Sequence, residues 1–297
     1  MTHFLFPGQG SQAVGMGRDF HDGSEAARAV LDKAEDILGP GFLGGIFNGE
    51  QEQLNDTRMA QPALVAVGAA IARHLIENGV KPSGFAGHSI GEITALTAAG
   101  SLSLEDALRI TRLRARFMSE GAPAGGMAAV TGLDAAAIAD SLPEAVNVAN
   151  YNGPQQTIIS GTEEGLSEAE ELLKTAGARR VIRLPVSGPF HSPYMKTASE
   201  KFREELKDVT FEPPQGRFIS SVSGLEESDP AHIRELLSTQ LTGPVRWTQV
   251  LQRIGPAPAL EVGPGKVLQG IAKRMEEGPS ITLAGTLEQA EAVAQAG

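Results

Sequence analysis

The sequence predicts an α/β fold in which a largely parallel sheet is covered by helices on both faces and a smaller α+β unit is inserted. Three observations predict it. Short apolar runs alternate with longer stretches of helical period along most of the 297 residues. Gly87-His88-Ser89-Ile90-Gly91 joins a short apolar run to a small, apolar helix. From Gly126 to Val186 the order changes to β-α-β-β-α-β, the split βαβ or ferredoxin-like pattern. The expected division is a large unit over 1–125 and 190–297 and a small one over 126–189.

The totals exclude several classes. The chain has no cysteine, so disulfides, thiol nucleophiles and cysteine metal sites are ruled out, and a reducing compartment is compatible. Met1-Thr2-His3-Phe4-Leu5-Phe6-Pro7 lacks a basic region followed by a long apolar one, so no signal peptide is expected. No uncharged apolar run reaches roughly 18 residues, so no membrane span is expected. The expected location is the cytoplasm. A net charge of −11 argues against nucleic acid as a partner.

His3 to Phe6 reads as a buried strand. The loop Phe6-Pro7-Gly8-Gln9-Gly10-Ser11-Gln12 places two glycines around one glutamine, either as a plain turn or to aim an amide. Ser24 to Leu38 is helical, with Ala27, Leu31, Ala34 and Leu38 at helix spacing and Gly39-Pro40-Gly41 as the stop. A second helix runs from near Gln61-Pro62 to Asn78-Gly79, with the proline in its first turn. After the Ser89 turn and its helix, Ser103-Leu104-Glu105-Asp106 resembles a capping box and opens a helix to about Glu120.

Within the insert, Gly126–Val130, Val146–Asn150, Gln155–Ser160 and Arg180–Val186 read as strands. Asp134–Leu142 and Glu163–Ala176 read as helices, and Asn150-Tyr151-Asn152-Gly153-Pro154 as the middle turn. Beyond it, a helix from Pro193 to about Lys207 and one over His232–Leu241 flank a strand at Phe218–Val222. A strand at Ala259–Val262, a helix over Lys266–Met275, a strand at Ile281–Ala284 and a helix over Leu287–Ala294 complete the chain.

The pattern G-x-S-x-G between strand and helix is a nucleophile elbow: the turn strains the serine backbone and exposes its hydroxyl at a helix N-terminus. Ser89 is therefore the candidate nucleophile, and it needs a base. His3 and His74 lie on apolar element faces, and His21 and His232 in polar surroundings. The ring of His88, inside the elbow, should point away from Ser89. His191, in the Gly/Pro-rich loop Ser187-Gly188-Pro189-Phe190-His191-Ser192-Pro193, is the base. No metal-ligand spacing such as H-E-x-x-H is present. At about 100° per residue, Arg114 falls beside Ala107, Ile110, Phe117 and Met118 on the apolar face of its helix. A buried guanidinium needs anionic or multiple acceptor partners. A salt bridge with a core carboxylate, a side chain that reaches back to water, and an anionic ligand all remain open.

Six segments together resemble the malonyl-CoA:acyl carrier protein transacylase family, which includes the acyltransferase domains of polyketide synthases. They are Phe6-Pro7-Gly8-Gln9-Gly10-Ser11-Gln12, Gln61-Pro62-Ala63-Leu64, Gly87-His88-Ser89-Ile90-Gly91-Glu92, Phe190-His191-Ser192, Gln240-Leu241 with Pro244-Val245-Arg246-Trp247, and Glu261-Val262-Gly263-Pro264-Gly265. The resemblance spans nearly the whole chain, in order. It implies a hydrolase-like α/β domain with a ferredoxin-like insert, and an [acyl-carrier-protein] S-malonyltransferase acting by ping-pong chemistry through a malonyl ester on Ser89. His191 would be general base and acid, oriented by a backbone carbonyl near Gln240 rather than by a carboxylate. The N–H groups of Gln9 and Ile90 would form the oxyanion hole. Arg114 would pair with the free carboxylate of malonate, and Gln61, Met118, Phe190, Asn150 and Asn152 would surround the acyl group.

The resemblance further implies malonyl-CoA as substrate, a phosphopantetheine carried by an acyl carrier protein as acceptor, no permanently bound cofactor, and a monomer serving fatty-acid or polyketide synthesis. Phe190 before His191 resembles the malonyl-preferring version. Pro189, where alanine is common, and Ile93-Thr94, where Tyr-Ser is frequent, bear on pocket shape. The rival readings are a hydrolase that unloads carrier proteins, the transacylase subunit of malonate decarboxylase, and a carrier-protein scaffold with a dead site. The cations Lys266, Lys273 and Arg274 are either a docking patch for an acidic carrier protein or a solvated helix face.

Overall fold

The computed structural model describes residues 2–296. Its elements run β1 (Thr2–Phe6), α1 (Arg18–Gly23), α2 (Glu25–Leu38), α3 (Phe42–Asn48), α4 (Gln51–Asn55), α5 (Thr57–Glu77), β2 (Pro82–Gly87), α6 (Gly91–Ala98) and α7 (Leu104–Gly121). The small unit follows with β3 (Gly126–Thr131), α8 (Ala135–Asp140), β4 (Val146–Gly153), β5 (Gln156–Gly161), α9 (Glu163–Thr175) and β6 (Arg180–Arg183). The chain then forms α10 (Lys196–Leu206), β7 (Arg217–Ile219), β8 (Glu226–Glu227), α11 (Pro230–Thr239), α12 (Trp247–Ile254), β9 (Pro258–Glu261), α13 (Val267–Ala272), β10 (Ser280–Leu283) and α14 (Leu287–Ala296).

The six-stranded sheet has the order β10-β9-β1-β2-β7-β8 and is parallel except for the β7–β8 pair. Side chains alternate across it as the strand period requires. Phe4, Phe6 and Phe85 face one buried cluster shared with α2, α5 and α7, whereas Leu5, Ala86 and Ile219 face another shared with α12 and α13. Each such large apolar side chain contributes roughly 1.5–3 kcal/mol by leaving water. Helix α5 is long and apolar enough to cross a membrane, with mean hydropathy 1.4, yet 83 % of that window is buried inside the fold. It is the core helix of this layer.

The four-stranded sheet is antiparallel with the order β4-β5-β3-β6, and α8 and α9 cover one face around Ile138, Ile159, Leu166 and Leu173. It is tied to the larger sheet's layer through β4. Tyr151 N–H donates to the Val245 carbonyl at 2.8 Å, and Val245 N–H donates to the Ala149 carbonyl at 2.8 Å. The segment Asn150–Gly153 is therefore strand, not turn. Its Asn/Gly composition suggests a turn, but pairing with β5 on one side and Val245 on the other holds it extended.

Other expectations shift as well. α5 begins at Thr57, capped by the Asp56 side chain, so Pro62 lies inside the helix rather than in its first turn. The strand expected to reach Val222 ends at Ile219, which frees Ser220 and Ser221. The strand expected to reach Val186 ends at Arg183, and Leu184-Pro185-Val186 runs on as a wall of the cavity described below. α13 ends at Ala272, so Lys273 caps it and Arg274 lies beyond, both exposed. Buried Glu261 anchors the helix start: Leu268 and Gln269 N–H groups donate to its two carboxylate oxygens at 3.0 and 2.9 Å.

The β2–α6 turn depends on two glycines. A Cβ at Gly87 would collide with the backbone of Gly91 and Glu92, and one at Gly91 with the Phe6 carbonyl. These contacts are backbone on backbone, so nothing can rotate away. Gly91→Ala is expected to lower stability by about 1–3 kcal/mol. Gly270→Ala, at an exposed position of α13 with open space around it, is expected to raise it by about 0.5–1 kcal/mol. Urea unfolding of both variants checks the pair.

Candidate active site

Ser89 (φ 52°) and His191 (φ 58°) are the only non-glycine residues with positive φ among the described residues. Such backbone costs about 1–3 kcal/mol and persists only where the surroundings impose it. For Ser89, the imposing surroundings are the packed elbow between β2 and α6. For His191, they are the Pro189–Pro193 loop, where Ser192 Oγ donates back to the Pro189 carbonyl at 2.5 Å. The two strained residues meet: Ser89 Oγ lies 2.7 Å from His191 Nε2.

On the far side of the ring, His191 Nδ1–H donates to the backbone carbonyls of Gln240 at 3.0 Å and Gly243 at 3.3 Å. Two carbonyls fix the proton on Nδ1 and leave the Nε2 lone pair for the Ser89 hydroxyl. His191 is buried. Burial first, and then the Arg114 charge, push its pKa down to about 3. At neutral pH the ring is therefore uncharged, with Nε2 as an acceptor.

Arg114 is completely buried. Its Nη1 donates to Gln61 Oε1 at 2.7 Å, and its Nη2 to Gln240 Oε1 at 2.8 Å and Ser89 Oγ at 3.3 Å. A guanidinium has five N–H donors, so these bonds leave two over, and Nε is buried without an acceptor among the described residues. Neither earlier structural alternative describes it. The side chain does not reach water, and its bonds are to neutral amides and a hydroxyl rather than to a carboxylate. The nearest balancing charge is Glu92, one amide away. Burial pulls the Arg114 pKa down to about 9, against the upward pull of Glu92.

A cavity of about 390 Å³ opens over Ser89, and Gln9, Gln61, Ile90, Met118, Asn150, Phe190 and His191 line it. The Gln9 side chain is turned aside, with Nε2 donating to Thr57 Oγ1 at 3.1 Å. Neither the Gln9 nor the Ile90 N–H has a protein acceptor among the described residues. Asn150 is buried and its Oδ1 has no partner among the described residues. Asn152 stands apart from the acyl space: its Oδ1 meets His88 Nε2 at 2.8 Å, and His88 packs edge-on against Trp247. The His88 ring thus points away from Ser89.

Sequence reasoning attached no role to Glu92, Ser220, Ser221 and Thr57. The available signals were a carboxylate in the first turn of a small, apolar helix and a serine pair directly after a strand.

A family model described as the acyl transferase domain matches residues 3–295. The malonyl CoA-acyl carrier protein transacylase of Bacillus subtilis is 43 % identical over 283 residues, covering 92 % of this chain and 89 % of that protein. Among solved structures, a malonyl-transacylase in complex with its type II polyketide-synthase acyl-carrier protein superposes with a TM-score of 0.95 at 34 % identity, covering 100 % of this chain and 99 % of that one. The acyl-carrier-protein S-malonyltransferase of Bartonella henselae gives a TM-score of 0.94 at 38 % identity, covering 100 % and 99 %.

Burial holds His191, His88, His3 and His74 below the ordinary histidine range. As pH falls below about 6.5, the unfolded chain takes up protons that the folded chain refuses, so stability is lost on acidification. Burial raises the Glu92 and Glu261 carboxyls, which act in the opposite sense, so the histidine share is read as the difference in urea midpoints between wild type and variant at pH 7.5 and 5. His191→Asn should flatten that loss by up to about 2 kcal/mol at pH 5.

Proposed function

The chain belongs to the acyl transferase domain family, and on that premise we propose how its residues divide the work of moving a malonyl group. The enzyme is an acyltransferase that takes malonyl from malonyl-CoA and passes it to an acyl carrier protein, for fatty-acid or polyketide synthesis. One observation carries the division of roles: a hydroxyl 2.7 Å from a neutral imidazole and 3.3 Å from a buried guanidinium.

In the first half-reaction, His191 Nε2 takes the Ser89 proton as Oγ attacks the thioester carbonyl. The developing oxyanion is met by the N–H groups of Gln9 and Ile90, the latter at the head of α6, where the helix dipole adds to the pull. One such donor is worth about 10²–10³ in rate. The C–S bond breaks, and the imidazolium returns its proton to the departing thiolate. Burial disfavours the charged ring, so the proton is passed on rather than kept. Malonyl remains as an ester on Ser89.

In the second half-reaction, the phosphopantetheine thiol of the carrier protein gives its proton to His191 and attacks the ester. The thioester forms, and Ser89 recovers its proton. No resident cofactor enters either half.

Arg114 selects the acyl group. A terminal carboxylate takes the donors that Gln61 and Gln240 leave free, together with the one resting on Ser89 Oγ. Two parallel N–H···O bonds suit a guanidinium and not an ammonium. Phe190 and Met118 close the space beside the α-carbon. Asn150 Oδ1 supplies an acceptor for an N–H of the pantetheine arm. A cysteine-free chain acting on CoA thioesters is consistent with a cytoplasmic site of action.

Intact-protein mass after brief mixing with malonyl-CoA or acetyl-CoA tests the roles. Wild type should carry a malonyl adduct and little acetyl, and carrier protein should discharge it. Ser89→Ala should carry none. Arg114→Ala should lose malonyl loading by about 10–100-fold, the value of hydrogen bonds to a charged partner. Free malonate without an adduct would instead mark a hydrolase.

A further inference from the structure

Glu92 is a carboxylate with 2 % exposure, and the reaction as derived gives it no task. It follows Gly91 in the first turn of α6, yet its oxygens serve no helix N–H. Ser220 Oγ donates to Oε1 at 2.6 Å, Ser221 Oγ to Oε2 at 2.5 Å, and Gln240 Nε2 to Oε2 at 3.0 Å. Burying a charge is costly, and three donors from two distant segments are gathered to hold this one.

The Gln240 amide has two distinguishable ends, and each faces a partner that accepts only one of them. Nε2 points at two acceptors, the Glu92 carboxylate and the Ser89 carbonyl at 3.2 Å. Oε1 points at a donor, Arg114 Nη2, at 2.8 Å. A carboxylate can only accept, so together with the Ser89 carbonyl and the donor-only guanidinium it sets the amide orientation. The opposite orientation would turn an NH₂ group onto the guanidinium and an oxygen onto the carboxylate. Arg114 is then clamped between two amide oxygens, of Gln61 and Gln240.

We propose that Glu92 is a positioning residue for acyl-group choice: acting through the side chain of Gln240, it fixes the Arg114 guanidinium in the orientation that meets the substrate carboxylate. The proposal rests on the malonyl-transfer reading above. It assigns Glu92 no contact with substrate. The Glu92 charge also supports the protonated state of Arg114 in a dry site.

The test compares kcat/KM for Ser89 loading with malonyl-CoA and with acetyl-CoA in four forms: wild type, Glu92→Gln, Gln240→Met and the double variant. A neutral amide at 92 presents both donor and acceptor and removes the strongest of the constraints on the Gln240 orientation, leaving the Ser89 carbonyl and the guanidinium. The malonyl-to-acetyl ratio should fall at least tenfold in Glu92→Gln and in Gln240→Met. The double variant should fall no further than the lower single, because both act on one linkage. An unchanged ratio, or equal slowing with both substrates, would overturn the proposal, since a merely structural carboxylate would slow both alike.

Thermal melting checks folding. If Glu92→Gln does not fold, Gln240→Met carries the test, and an unchanged ratio there overturns the proposal equally. Failure of the underlying reading is distinguishable: wild type would then form no malonyl-Ser89 adduct, or Arg114→Ala would keep its malonyl preference.

Discussion

A positive charge sealed in the protein interior, the guanidinium of Arg114, is the constraint on which the site depends. Burial in a low-dielectric interior is unfavourable for it, and a direct carboxylate contact would quench it for any incoming anion. The fold takes neither extreme. Two neutral amides, Gln61 from α5 and Gln240 from just beyond α11, hold the fork in place. A compensating carboxylate, Glu92, stands one hydrogen bond further back. The guanidinium keeps Nε without an acceptor among the described residues, and on the proposed reading its uncommitted donors meet an acyl group that brings its own negative charge.

Gln240 joins this selection device to the chemistry. Its side chain holds Arg114, and its backbone carbonyl orients His191. Burial first, and then the same arginine, hold the histidine in its neutral form. Strain completes the arrangement. Ser89 and His191, the proposed nucleophile and base, both sit in left-handed backbone, each forced there by its own packed turn. Their 2.7 Å contact is thus imposed by the scaffold before substrate arrives.

Much of this was legible in the sequence because it is local. The elbow shows in five consecutive residues, the insert in its β-α-β-β-α-β order, and the burial of Arg114 in the helical period around it. What escaped is short or distant. α1, α3, α4 and α12 span six, seven, five and eight residues, too few turns for a periodic signal to stand out. The strand at Asn150–Gly153 carries turn composition and is decided by partners far along the chain. The partner of Arg114 was unreadable for the same reason: Gln240 lies 126 residues away, and only the fold brings its amide between arginine and carboxylate.

The central claim is that Arg114 is held open for the free carboxylate of an acyl group on Ser89. The most direct measurement is a carbon-13 NMR titration of enzyme loaded with malonyl labelled at its terminal carboxyl. A carboxylate paired with the Arg114 guanidinium should keep its ionised chemical shift well below the pH at which the free acid titrates, and Arg114→Ala should restore ordinary titration. A label that titrates in the loaded wild type as it does in solution would contradict the account.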